Sequence, residues 1–253
     1  MFDYIVMNPP YGGSLHLKIL NHVLPFGKDT INLSPILDFE WPEQPSSLDF
    51  LKGKLDYIEV VKREEAQKLF CRNPTDLGIY YITKTRDNYW PNPFELRFGQ
   101  DFTSIWNKVD FSNNFKKHIS KRDEPLNKYC VVYNHMSGFS PSHRCIYKDG
   151  ISLTDGKTYK EHVKNQHKNE TTHHFKFDTL EEAENFLAYC NTRFFRFIEH
   201  IGQPGLLKAM NLTPYMDTYK RKWTDKDLYE LYKFSEEEVN IIERFYETHL
   251  LGI

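Results

Sequence analysis

Apolar and polar positions along this chain follow two different periods. Phe2–Met7 is an apolar run with one acid, Asp3, near its start, and reads as a buried strand. It stops at Asn8-Pro9-Pro10, where two prolines remove two backbone donors and fix φ, so neither strand nor helix continues. Leu17, Leu20, Val23 and Leu24 then recur at helical spacing, with Ser14 placed to cap the helix and Pro25 and Gly27 to close it. Thr30–Ser34 is a short strand ended by Pro35. Strand, helix and strand within so short a stretch form a crossover unit with parallel strands. Asp38–Ser47 is rich in proline and acid and reads as a loop. Leu55–Val61 is a strand. Arg63–Phe70 is a short helix with Ala66, Leu69 and Phe70 inward, and Leu77–Thr83 is an aromatic, β-branched strand.

Beyond residue 86 the texture changes. Pro91, Pro93, Gly99, Gly138, Pro141, Gly150 and Gly156 punctuate short runs such as Tyr129–Tyr133 and Arg144–Tyr147. This pattern predicts a small, irregular, β-rich region with long loops to about residue 175. From Asp178 an apolar stripe of Ala183, Phe186, Leu187, Cys190, Phe194, Phe197, Ile198 and Ile201 predicts one helix, opened by a Thr179/Glu182 capping box. Thr224/Asp227 opens a helix over 225–233. Ser235/Glu238 opens another that runs through Leu250, with Val239, Ile242, Phe245 and Tyr246 inward.

Composition narrows the picture. The 253 residues are 40% hydrophobic and 15% aromatic, enough for a core in one large domain or two small ones. No apolar run is long enough to span a membrane, and the first residues lack the basic lead of a signal peptide. Cys71, Cys130, Cys145 and Cys190 have no C-x-x-C spacing and read as free thiols of a reducing cytoplasm. The densest histidine cluster, His167 with His173-His174, lies in polar sequence and reads as a solvated loop rather than a metal site. The formal net charge of −2 divides unevenly: −2 over residues 1–85, +5 over 86–222 and −5 over 223–253. A positive middle segment fits contact with a polyanion. Lys116, Lys117, Lys121 and Arg122, beside His118, are candidate phosphate contacts. Asn134, His135, Ser140, His143 and Arg144 are candidates for base edges.

The chemistry concentrates at Asn8-Pro9-Pro10-Tyr11, followed by Gly12-Gly13. A rigid turn at the carboxyl end of a strand is where open α/β sheets bind ligands. The Asn8 side-chain carbonyl and the Pro9 main-chain carbonyl are two adjacent acceptors, able to take both hydrogens of an exocyclic amino group. Tyr11 offers a flat face for a planar base. A nuclease reading finds only Glu59-Val-Val-Lys62, which is more simply a solvated strand face.

The run Phe2-Asp3 … Asn8-Pro9-Pro10-Tyr11 resembles the catalytic motif of the N6-adenine DNA methyltransferases of restriction–modification systems and phages. The resemblance implies transfer of a methyl group from S-adenosylmethionine to N6 of a flipped adenine in double-stranded DNA. Asn8, Pro9 and Pro10 would form the catalytic turn, Asn8 would also border the cofactor, and Tyr11 would stack on the base. It places Ser34 and Pro35 near the target base and makes Leu77–Thr83 the second strand of a late antiparallel hairpin. The segment Pro214-Tyr-Met-Asp … Lys222-Trp-Thr-Asp is similar to C-terminal ends in the same family.

The fold so implied is α/β. Residues 1–85 would be the C-terminal half of a doubly wound, Rossmann-like methyltransferase sheet. Residues 86–222 would be a small α+β target-recognition domain, and 223–253 a C-terminal helical segment. Only seven residues precede Asn8, and no F-x-G-x-G or G-x-G-x-x-G follows. A second polypeptide is therefore expected to carry the cofactor-binding half, in the cytoplasm of a bacterium or a phage-infected cell. The alternative is a catalytically silent DNA-binding or interaction protein derived from a truncated methyltransferase.

Overall fold

The computed structural model describes residues 2–11, 14–36, 39–42, 46–70, 76–83, 89–119, 128–134, 145–158, 161, 172–202 and 210–250. The chain divides into two compact units, Met1–Phe102 and Thr103–Ile253.

The first unit is a mixed α/β sheet with helices. Its elements are β1 (Phe2–Met7), α1 (Leu15–Val23), β2 (Gly27–Pro35), β3 (Leu55–Val61), α2 (Arg63–Phe70), β4 (Leu77–Thr83) and α3 (Pro93–Phe98). The strand order is β1-β2-β4-β3. β1 pairs with β2 in parallel, as the strand–helix–strand pattern requires. β4 runs antiparallel to both β2 and β3. One face of the sheet packs against Leu17, Leu20 and Leu24, Phe39, and Leu48 and Leu51 of a 3-10 turn, together with Ile58, Tyr80 and Ile82 of the strands. Phe39, in the stretch that reads as a loop, is fully buried, with its ring 5.2 Å from that of Tyr80.

Three expectations need correction here. β1 is not a buried strand: it lies at the edge of the sheet, and Phe2, Tyr4 and Val6 are 67%, 71% and 76% exposed. An apolar run gives depth only if strands flank it on both sides, and among the described residues β1 has a neighbour on one. Ser14 takes a left-handed conformation, φ 60°, and its side chain makes no cap hydrogen bond. In α2 only Ala66 is buried, while Leu69 and Phe70 are exposed, so a helix of two turns turns one narrow stripe inward.

The second unit holds α4 (Thr103–Trp106), α5 (Phe115–His118), β5 (Tyr129–Asn134), β6 (Ile146–Lys148), β7 (Ile151–Ser152) and β8 (Thr172–Phe177). These are followed by α6 (Leu180–Cys190), α7 (Arg193–Ile201), α8 (Asp225–Leu231) and α9 (Glu236–Phe245). The strands form an antiparallel sheet, β7-β6-β5-β8. His173-His174 sits in β8, not in a solvated loop, and the His174 side chain is buried. The stripe beginning at Ala183 belongs to two helices. Thr192 breaks it, and its hydroxyl caps α7 by accepting from the Phe195 amide at 3.1 Å. The stripe runs on across the break because both helices bury the same aromatic core, in which Phe115, Phe175, Phe186, Tyr215 and Tyr219 pack ring to ring. The capping boxes at Thr179/Glu182, Thr224/Asp227 and Ser235/Glu238 all form. The last helix ends at Phe245 in a π turn rather than running unbroken to Leu250.

Candidate active site

Asn8, Pro9, Pro10 and Tyr11 follow β1 at the carboxyl end of the parallel pair. Pro9 is buried, Tyr11 half-buried, and Asn8 and Pro10 exposed. The two prolines force the chain out of the sheet, which leaves the Asn8 side chain at the rim instead of in the strand ladder. The Tyr11 hydroxyl donates to Asn8 Oδ1 at 2.6 Å. Burial pushes the Tyr11 phenol above its ordinary value, so it keeps its proton and remains a donor. The Tyr11 ring meets the buried His16 of α1 edge-on, with centroids 6.2 Å apart.

Ser34 and Pro35 end β2 at the same end of the sheet. Ser34 is buried, and its hydroxyl accepts from Asn32 Nδ2 at 2.7 Å. The Pro35 carbonyl accepts from the Tyr80 hydroxyl at 2.5 Å. Gly78 makes this bond possible: a Cβ there would stand 2.3 Å from Tyr80 Cε1, so only glycine lets the ring lie across the strand toward Pro35. Around the same rim lie Lys62, Asp76, Glu40 and Arg97. Lys62 pairs with Asp76 at 3.2 Å, and the Arg63 amide donates to the other Asp76 oxygen at 2.8 Å. Burial brings the Arg97 guanidinium down to about 10, opposed by Glu40, while burial also raises the Glu40 carboxyl.

His16, Tyr80 and the Glu40–Arg97 pair were not picked out in the sequence. The Gly78-x-Tyr80 spacing is a signal for Tyr80 in retrospect. Glu40 and Arg97 are too far apart in the chain to signal each other. A cleft of about 360 Å³, lined by Asn21, Leu24, Lys28, Thr30 and Lys54 among others, opens at the amino end of β2 and the carboxyl end of β4, the far end of the sheet from Asn8.

In the second unit Lys116 and Lys117 are exposed on α5. Lys117 Nζ donates to the Ser112 carbonyl at 2.6 Å, and His118 stacks on Tyr215 with centroids 3.8 Å apart. Burial, with Lys117 nearby, lowers the His118 pKa, so the ring stays neutral near pH 7. Lys121, Arg122, His135, Ser140, His143 and Arg144 lie outside the described residues, as do Gly12 and Gly13, and so does the side chain of Asn134. Among the described residues no three His, Cys, Asp or Glu side chains group as a metal site, and no helix is long and apolar enough to cross a membrane.

Chemically, the rim offers one carbonyl acceptor already holding a phenolic proton, a buried proline whose carbonyl has no N–H beside it, and an aromatic ring held at a fixed angle. That set is suited to gripping a planar group with an exocyclic amine. Comparison with protein families, with curated proteins and with solved structures gives no match.

Proposed function

We propose that this chain is the catalytic and target-recognition part of a site-specific DNA adenine-N6 methyltransferase, working with a second polypeptide that supplies the cofactor site. The observation that carries the reading is the Asn8-Pro9-Pro10-Tyr11 turn at the carboxyl end of β1, with Asn8 Oδ1 poised as a hydrogen-bond acceptor. The mixed sheet supports it: β4 runs antiparallel between β2 and β3, an arrangement compatible with the late antiparallel strand pair that the resemblance implies.

In this reading the Asn8 side-chain carbonyl and the Pro9 carbonyl accept the two amino hydrogens of the adenine. The nitrogen lone pair is thereby turned away from the ring and aligned for attack. Tyr11 stacks on the base once it leaves the duplex. Because a sulfonium methyl group is a strong electrophile, the chain need not supply a strong base. Alignment and exclusion of water are enough. The role of Tyr11 changes on binding: its hydroxyl occupies the Asn8 acceptor in the free chain and has to share or yield it to the base. Tyr80 and Gly78 act indirectly, by holding Ser34-Pro35 at the rim.

S-adenosylmethionine would supply the methyl group. The described residues do not wall in a molecule of that size beside Asn8: Asn8 and Pro10 are exposed and the neighbouring edge of β1 is open. No cofactor contact beyond Asn8 is assigned to this chain.

The second reading, a silent DNA-binding protein, is favoured by that same open edge and by the lack of a Gly-rich turn. Asn8→Ala separates the two. With an active complex, methylation of adenine in duplex DNA falls by on the order of 10²–10³-fold or more while DNA binding persists. Equal methylation by the variant removes Asn8 from the chemistry.

A further inference from the structure

We infer that the edge of β1 and the exposed apolar residues on the non-core face of the first sheet together form a docking surface for a second polypeptide, which adds a strand parallel to β1 and lays a helix over Phe2, Tyr4 and Val6. The inference rests on the split-methyltransferase reading for the partner's role and on the surface itself for its chemistry.

Edge strands in proteins are blunted by charge, proline or bulges. β1 carries one charge, Asp3, already tied to Lys28 at 2.6 Å, and is otherwise Phe2, Tyr4, Ile5, Val6 and Met7. By alternation and register, the exposed Phe2, Tyr4, Val6 and Tyr57 share a face with the half-buried Ile31, Leu33, Ile79 and Tyr81, and with Leu77, which is buried at its end. The Tyr57 and Tyr81 rings stack there at 4.0 Å, with Tyr57 itself exposed. The opposite face holds α1 and the core.

Area sets the scale. An aromatic side chain buries about 150–250 Å², so Phe2, Tyr4 and Val6 at their observed exposure leave roughly 300–400 Å² of apolar surface bare. A standard interface takes about 800 Å² from each partner, which the strand edge and the rest of the face can complete.

Handedness ties edge and face to one occupant. β1 and β2 are parallel and α1 packs on the core face. Right-handed crossovers that step outward from β1 in the other direction put their helices on the opposite face, the one on which Phe2, Tyr4 and Val6 are exposed. A second copy of this chain does not serve: pairing two β1 edges extends the sheet but leaves both faces uncovered. The charged side chains on the face, Asp29 and Glu59, are acidic, so the covering helix is expected to present Lys or Arg to them.

The test places a photo-crosslinking p-benzoylphenylalanine at Tyr4, in the full chain expressed in its own host. The expected result is one discrete adduct to a polypeptide of different sequence. The cross-linked peptide lies in an alternating apolar segment, and the adduct falls about tenfold or more when Phe2→Asp and Val6→Lys are added, with the circular dichroism unchanged. Absence of an adduct, an adduct to a second copy, or an adduct to an upstream segment of the same, longer polypeptide overturns the proposal. The two readings fail separately. A Val6-dependent complex that leaves DNA unmethylated ends the methyltransferase reading alone. Methylation by the chain with nothing joined to Tyr4 ends the docking surface alone.

Discussion

At the scale of single residues, two hydroxyls deserve separate tests. Tyr11 combines a ring and a donor. Tyr11→Phe keeps the stacking face and frees Asn8 Oδ1, so methylation is expected to stay within about tenfold of the parent. Tyr11→Ala removes a stacking partner worth about 1–3 kcal/mol and loses correspondingly more. Steady-state rates on a duplex with one target adenine distinguish them; equal losses would place the role in the hydroxyl. Tyr80 is fully buried and its hydroxyl is the donor that reaches the Pro35 carbonyl. Tyr80→Phe should cost about 1 kcal/mol in urea unfolding of the first unit, because it removes the donor to the half-buried Pro35 carbonyl. The Asn8 turn was readable in the sequence because two prolines and an amide are local chemistry. The Tyr80–Pro35 bond was not, since it joins positions 45 residues apart through a pairing register that no local pattern encodes.

At the scale of elements, the strands at 55–61 and 77–83, the helix at 63–70 and the three capping boxes were legible because each is fixed by a short-range period or by a pair three residues apart. β8 was missed because Thr172-His-His-Phe carries a polar surface pattern, and only pairing with β5 makes it a strand. The caps also give a pH dependence. Asp227 is held below its ordinary value by the Thr224 hydroxyl and amide. Burial pushes Glu238 up, but Lys108, 2.5 Å away, and the Ser235 amide outweigh it and leave the carboxyl lowered. Folded values below unfolded ones mean stabilisation that is present above the ordinary carboxylate range and lost as pH falls through it. The second unit should therefore melt at a steady Tm from pH 7 to about 5 and lose stability below about 4.5, the ordinary value for Glu. Glu238→Gln should flatten that acid limb in calorimetric scans, and an unchanged limb would assign it to other carboxylates. Ser235→Ala, which removes the hydroxyl that caps α9, is expected to cost about 1 kcal/mol in the same unit.

At the scale of the molecule, the described residues of the first unit cover one face of the sheet and leave the β1 edge, with its apolar side chains, exposed. The core face is covered by α1 and Phe39, while β1 and β3, the two end strands, each pair with one neighbour among the described residues. The β1 side is apolar and open. In the proposed reading Asn8, at the carboxyl end of that strand, is the reacting turn, so a polypeptide that completed the sheet would also wall the site. Activity and assembly are thus expected to be lost together: a charge at Val6, which offers the base no acceptor of its own, should reduce methylation in parallel with complex formation. Methylation that survives Val6→Lys while the complex is lost would separate the two.

The measurement that bears most directly on this account is N6-methyladenine, quantified by mass spectrometry of the nucleosides. The duplex DNA is first incubated with S-adenosylmethionine and the chain in the complex isolated from its host. The account predicts N6-methyladenine with the parent chain and none above background with Asn8→Ala, both preparations holding the same second polypeptide. DNA that stays unmethylated while the intact complex binds it, or methylation indifferent to Asn8, would contradict the account.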